Sequence, residues 1–284
     1  MEKSSSTIKD MQLYNDTDRI WKDLQQLGYC RDNEEKICPI DINKYDCYNY
    51  GGKDSAQAIC DKFDFTETSK VLDLGSGIGG PSRAITCHCN ANIVGVEFQK
   101  DLKELSEELN KRSELSNKIE VINGDFLDDN ILNDNKETFD GVVSWLVILH
   151  IPLDKRNKLF QKIYDLLKPG GKVYIEDFFE KFPLSTEAKN MLSNDVYVPN
   201  GEVPTKDVYI KTLSDIGFTV DFYDATNEWK NFTTNRLNIF HENKDRHIEV
   251  YNQGTYEHLD HFYSSVESLF NKHNLGGVKL SLTK

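Results

Sequence analysis

Val71-Leu72-Asp73-Leu74-Gly75-Ser76-Gly77-Ile78-Gly79-Gly80-Pro81 decides how this chain of 284 residues is read. An apolar run ends in an acid and then a glycine-rich turn, and Pro81 stands where a helix begins. Glycine lets the backbone bend sharply and come close to a ligand. Proline suits a first helical turn, where its missing N–H is not needed. The stretch therefore reads as a buried strand, a tight loop and a helix pointing its positive end at a ligand.

Outward from this stretch, strand-like and helix-like segments alternate, which argues for a parallel sheet covered on both sides. Ile93-Val94-Gly95-Val96-Glu97 is a second strand ending in an acid, and Leu102, Leu105 and Leu109 mark the next helix. Ile119 to Ile122 is a third strand, followed by Asn123-Gly124-Asp125-Phe126, and Phe139 to Trp145 a fourth. A helix through Leu159, Ile163 and Leu166 stops at Pro169-Gly170-Gly171, ahead of a fifth strand from Val173 to Asp177. A helix with Tyr209, Leu213 and Ile216 precedes a sixth strand, Phe218 to Phe222. Residues 227 to 274 interrupt the sheet and end in an amphipathic helix carrying Leu259, Phe262, Val266, Leu269 and Phe270. Gly276 to Leu282 reads as a last strand.

Before the core, residues 1 to 12 are polar and expected to be frayed. Ile20, Trp21, Leu24 and Leu27 recur at helical spacing after Asp16 and Thr17, which suit a cap. A loop with Cys38-Pro39 leads to Tyr48-Asn49-Tyr50-Gly51-Gly52, and a second helix shows Ala56, Ile59, Cys60 and Phe63 on one face.

At 38% hydrophobic residues the chain can bury one sizeable core. A net charge of −13 argues against a nucleic-acid partner, for which a basic footprint is expected, and is compatible with cationic ligands. No apolar run has the length of a membrane span, and the N-terminus lacks the pattern of a secretory leader, so the expected compartment is the cytoplasm. The six cysteines, Cys30, Cys38, Cys47, Cys60, Cys87 and Cys89, read as reduced thiols. Cys87-His88-Cys89 has no second cluster at ligand spacing, so no metal is expected.

Gly75, Gly77 and Gly80 satisfy the G-x-G-x-x-G pattern of dinucleotide sites, but Asp73, two residues before the first glycine, tips the reading. D-x-G-x-G resembles the first motif of class I S-adenosylmethionine (SAM)-dependent methyltransferases, and the later segments follow that family's order from about Tyr48 to Lys284. The resemblance implies a Rossmann-like α/β fold: a seven-stranded sheet with an antiparallel last strand, helices on both faces, and SAM at the carboxyl ends of the first strands. It divides the chain into a helical lid segment over residues 1–47 and a methyltransferase domain over 48–284, with the insertion at 227–274 completing the lid.

The cofactor-binding residues expected on this basis are Tyr50, Gly51, Asp73, Gly75, Gly77, Glu97, Phe98, Asp125, Phe126, Ser144 and Trp145. Glu97, some twenty residues past the glycines, is placed to accept the ribose hydroxyls; the bland alternative is a solvated strand-end acid. Asp125 matches the position that accepts from the adenine amino group, with Phe126 stacking on the ring, although Asn-Gly-Asp is also turn chemistry. Tyr50 can face the sulfonium by cation–π attraction or simply anchor the N-terminal helix.

Around His150 the chain resembles amine methyltransferases of the sarcosine/dimethylglycine and phosphoethanolamine types, which share a histidine there, an inserted helical segment and a Gly-Gly start to the last strand. His150 is accordingly the expected catalytic residue, as general base or as the group that positions it; the alternative is a histidine capping the loop before Pro152. Trp145-Leu146 stand where the phosphoethanolamine enzymes have Arg-Asp, and no basic, tyrosine-rich cluster resembling their phosphate clamp is visible. A phosphate-bearing acceptor is therefore not expected. The resulting reading is methyl transfer from SAM to a small molecule, with amine nitrogen the preferred acceptor. Carbon or oxygen methylation, a nicotinamide-dependent dehydrogenase and a non-catalytic SAM-binding protein remain as alternatives. No motif names the acceptor or the oligomeric state.

Overall fold

A computed structural model describes residues 17–284. The polar stretch 1–12 and the capping Asp16 lie outside the described residues. Helices α1 (Thr17–Gln26), α2 (Pro39–Asp46) and α3 (Gly52–Phe63) precede the sheet. Strand β1 (Lys70–Leu74) leads through the glycine loop to α4 (Gly80–Cys89), and β2 (Asn92–Glu97) leads to α5 (Lys100–Arg112). Then come β3 (Ile119–Asn123), β4 (Phe139–Trp145), α6 (Leu153–Leu166) and β5 (Leu167–Glu180). Helices α7 (Thr186–Asp195) and α8 (Lys206–Ile216) lead to β6 (Thr219–Asp224). The insertion is three helices, α9 (Thr226–Glu242), α10 (Lys244–Val250) and α11 (Gln253–Lys272), and β7 (Leu275–Thr283) follows.

The seven strands lie in the order β3-β2-β1-β4-β5-β7-β6. β1 to β5 are mutually parallel, and β7 runs antiparallel between β5 and β6. This is the expected α/β methyltransferase sheet. The pleat sends alternate residues to opposite faces. Leu72, Val142 and Ile175 pack against α6 and α8 through Leu159, Ile163 and Leu213. Val71, Ile93 and Val143 pack instead against α3 and α4 through Ile59, Cys60 and Ile85. Each such fully buried aliphatic side chain contributes about 1.5–3 kcal/mol.

The insertion docks where the last strand begins. A Cβ on Gly277 would stand 2.1 Å from the Trp229 ring of α9, and one on Gly276 would stand 2.3 Å from the Phe179 ring. The Gly-Gly pair thus lets two aromatic rings lie against the strand backbone, and Ala225 N–H adds a bond to Gly277 O at 2.8 Å.

Two segments differ from the sequence reading. The stretch after Cys38 is not a loop: Pro39 opens α2 at a first-turn position. Helix α7 shows little apolar periodicity and owes its start to Ser185, whose Oγ accepts from Ala188 N–H at 3.1 Å.

Candidate active site

The carboxyl ends of β1 and β2 converge on the glycine loop. Asp73 is buried at the end of β1 and accepts from Ser82 Oγ at 2.5 Å. Burial pushes its carboxyl up to about 7, Ser82 works against the rise, and Glu97 adds to it. Gly75 (φ +71°) and Gly77 (φ +53°) adopt the left-handed conformation that side chains disfavour. A Cβ on Gly75 would strike Val147, whereas the corresponding side of Gly77 is open.

Glu97 holds the far side of the loop. Its carboxylate accepts from Gly77 N–H and Gln99 N–H, both at 2.8 Å. Burial raises its pKa, and these backbone donors partly offset that. Asn123 Nδ2 donates to Glu97 O at 2.9 Å and Phe98 O at 3.1 Å, tying the end of β3 to that of β2. Beyond it, Asp125 accepts from Leu127 N–H at 2.9 Å, so its carboxylate shapes the turn. The Phe126 ring lies in the main core with Lys162 Nζ 4.8 Å from its centroid, while Phe98 is exposed.

β4 and β5 close the other side. Ser144 Oγ donates to Leu74 O at 3.1 Å, joining the ends of β4 and β1. Trp145 Nε1 donates to Ser55 Oγ at 3.3 Å, and that hydroxyl donates to Glu176 Oε1 at 2.8 Å. Gly51 caps α3 immediately before, where a Cβ would fall 2.5 Å from that of Ser55. Glu176, register partner of Trp145, also takes the Tyr174 hydroxyl at 2.6 Å, while its Oε2 is buried without a partner.

Beneath the loop lies a support that sequence reasoning missed. Arg83, fully buried on α4, pairs with Asp46 of α2 at 2.8 Å and donates to Asn110 Oδ1 at 2.8 Å and to Ile78 O at 2.5 Å. The sequence signal was a charged residue on the inward face of α4. Gly80 permits the contact: a Cβ there would stand 2.1 Å from Asp46 O.

His150 ends a single 3₁₀ turn, Ile148–His150, just past β4. Its Nδ1 lies 3.2 Å from Tyr197 O, a carbonyl that can only accept, so Nδ1 carries the proton and Nε2 is the free acceptor. Burial pushes its pKa down to about 4, and Arg156 adds to the fall while Tyr197 opposes it. Desolvation thus keeps this imidazole neutral well below the range in which histidine ordinarily titrates. Arg156 also supports the loop: it donates to Ile151 O and Tyr209 Oη, both at 3.0 Å, and stands 3.5 Å from the buried Asp177.

Tyr50, Leu149, Phe178, Trp229 and Phe262 share a second hydrophobic cluster, against which Leu146 and Phe232 pack. Tyr50 stacks on Phe232 and meets Trp229 edge-on, both with centroids 4.9 Å apart. The fold gathers basic and aromatic side chains here that are far apart in the sequence. Arg236 of α9 lies over the Tyr50, Phe232 and Tyr263 rings at 5.1, 5.4 and 4.4 Å. Arg19 of α1 is buried in hydrogen-bonding contact with Tyr48 and within electrostatic reach of Tyr263. The members are scattered between residues 19 and 263, which hides the cluster in a linear reading.

This architecture matches known proteins. The family model described as mycolic acid cyclopropane synthetase covers residues 51–279. The chain belongs to that family. Phosphoethanolamine N-methyltransferase of Plasmodium falciparum is 30% identical over 217 residues, 75% of this chain and 78% of that protein. Sterol 24-C-methyltransferase of Candida albicans is 28% identical over 168 residues, 58% of this chain and 43% of its own length. In fold, the chain is similar to Haemonchus contortus phosphoethanolamine N-methyltransferase 2, solved with phosphomonomethylethanolamine and S-adenosylhomocysteine. That match has a TM-score of 0.77 at 21% identity, covering 98% of this chain and 60% of that one. The protein is thus a SAM-dependent methyltransferase, as the glycine loop and Asp73 led one to expect. Among the described residues, no helix is long and apolar enough to cross a membrane.

Proposed function

We propose that the protein moves a methyl group from SAM to a nitrogen of a small amine. The observation that carries nitrogen over carbon is the reach of the likeness: 75% of the chain aligns with a phosphoethanolamine N-methyltransferase, against 58% with the Candida albicans sterol enzyme. The residues present fit the cofactor. Two buried acids, Asp73 and Glu97, flank a loop with open space at Gly77, and a cationic ligand would relieve the burial of the Asp73 carboxylate. SAM supplies an activated methyl group, so this chain's residues have to align the acceptor lone pair and exclude water. The aromatic wall of Tyr50, Phe178, Trp229 and Phe232 serves the second task. His150, oriented by Nδ1–H donating to Tyr197 O, presents an unprotonated Nε2 as the acceptor for the proton the amine must lose. Helices α1, α9 and α11 form the lid.

Carbon methylation is the competing reading, favoured by the sterol relatives and by the apolar Leu146 and Leu149. Incubation with SAM and separate pools of amines and of sterols, followed by mass spectrometry, separates the two. A one-methyl mass increase confined to amines is expected; one confined to sterols would overturn the nitrogen assignment.

A further inference from the structure

Cys60 and Cys89 are two thiols that the methyl-transfer chemistry leaves unused. Cys60 lies on the inner face of α3 and Cys89 ends α4, where the two helices pack side by side. A hydrogen bond joins the two sulfurs, so they are already in contact across the helix pair. One residue on, His88 Nε2 lies 2.8 Å from Asp61 Oδ1. The neighbours Cys60-Asp61 and His88-Cys89 thus hold α3 and α4 together at one level. Cys60 is buried, whereas Cys89 is half-buried and reachable from solvent. The hydrogen bond with Cys60 draws the Cys89 thiol below the ordinary thiol range; the Ala91 backbone and His88 act the same way, against burial and Asp61. That hydrogen bond also pushes the Cys60 thiol up. The thiolate is the reactive form of cysteine, and sensing cysteines stand accessible beside a resolving partner. Among the described residues no three metal-ligating groups come together, so the pair's chemistry is that of sulfur.

We propose that Cys89 is a site of reversible oxidation by hydrogen peroxide, and that Cys60 resolves it as a disulfide joining α3 to α4. The Cys89 thiolate attacks one peroxide oxygen, the O–O bond breaks, and the departing hydroxide takes up a proton to leave as water. The Cys60 sulfur then attacks the Cys89 sulfur of the sulfenic acid so formed. The S–O bond breaks, and hydroxide leaves with the Cys60 proton as a second water. Two thiols are thereby oxidised by two electrons, and one peroxide is reduced to two waters. The loop closed by this bond, residues 60 to 89, contains β1, the whole glycine loop and α4. Such a bond restricts the unfolded chain, while the folded helices already hold the two sulfurs in contact. The disulfide therefore fastens the stretch that carries Asp73, Gly75 and Gly77 when no cofactor is bound. It depends on neither the nitrogen nor the carbon reading of the acceptor.

The test treats the full chain, first reduced and then freed of reductant, with hydrogen peroxide and maps its peptides by mass spectrometry. A linked Cys60–Cys89 peptide pair, lighter by two hydrogens and released by dithiothreitol, is expected. Dimedone, which captures sulfenic acids, should label Cys89 in Cys60→Ala and leave it largely unlabelled in the wild type. Cys30, Cys38 and Cys87 are more exposed than Cys89, so oxidation ordered by exposure alone would reach them first and overturn the assignment. Without SAM, the oxidised wild type should melt a few degrees above the reduced protein, and Cys89→Ser should lose that shift. If Cys60→Ala does not fold, Cys89→Ser decides: a peroxide-induced disulfide at Cys60 that persists in it would overturn the pairing. Absence of the Cys60–Cys89 link in the treated wild type, or a melting temperature that the link lowers, also overturns the proposal.

Discussion

Asp73→Asn tests whether the cofactor loop is built around a carboxylate held at a cost to the fold. The Asp73 carboxyl rises from 3.8 to about 7 because it is buried, with only Ser82 Oγ recorded as a side-chain donor. A raised carboxyl stabilises the fold fully below its unfolded pKa, and that contribution is lost as pH climbs through the folded value. At 1.36 kcal/mol per pKa unit, the wild type carries a penalty of about 4 kcal/mol at pH 8 and about 2 kcal/mol at pH 5, relative to a side chain that does not titrate. Asparagine keeps an oxygen for Ser82, but its buried amide nitrogen costs about 1–3 kcal/mol if unpartnered. That offset does not depend on pH. Urea unfolding without SAM should therefore show the stability of the variant relative to wild type improving by about 2–3 kcal/mol between pH 5 and pH 8. SAM should stabilise the wild type much more than the variant. Parallel stability curves for the two proteins across that range would refute the reasoning.

Glu97→Gln should weaken SAM binding by about 1.5–3 kcal/mol in calorimetry, because the amide is a poorer acceptor for Gly77 N–H and for a ribose hydroxyl; unchanged affinity removes Glu97 from the cofactor site. His150 is depressed from 6.5 to about 4, so the stability it contributes is present above pH 6.5 and lost as pH falls through 4. His150→Gln should flatten that acid loss by up to about 3 kcal/mol, measured by unfolding between pH 4 and 7. It should also lower turnover by about 10²–10⁴-fold if Nε2 is the base. Gly80→Ala should lower stability by about 1–3 kcal/mol and weaken SAM binding, since the new methyl group meets Asp46 O and displaces α2 from the loop; a variant with wild-type melting temperature would show that α2 yields freely.

The strands from β1 to β5 and the acids that end β1 and β2 were readable because their signals are local: an apolar run, a carboxylate, then glycine or a turn. The Arg83–Asp46 pair joins residues 37 apart on two helices; the inward-facing arginine of α4 was a local mark, but its partner lies on α2, whose only sequence mark is Pro39. The arginine and tyrosine nest was missed for a stronger version of that reason. Arg19, Tyr48, Tyr50, Arg236 and Tyr263 each look ordinary in their own surroundings, and only the folding of α9 and α11 over the N-terminal segment makes them neighbours. His150 was placed correctly past β4, but its proton affinity depends on burial that residue type and spacing do not encode.

The strand order has a kinetic consequence. β6 touches the sheet through β7 alone, and β7 is separated from it by the three helices of the insertion. β7 itself pairs with β5 over a long reach in sequence, Lys172 opposite Thr283. Such pairings are slow because a large loop must close before any of their bonds form. Where β7 starts, Gly277 packs on the Trp229 ring of α9 and Gly276 on the Phe179 ring of β5, so the insertion and the sheet meet at the strand's first residues. The segment proposed here as the lid is therefore also the one against which the last strand packs, and substitutions chosen to retune specificity there will be filtered first by whether β7 still finds its slot.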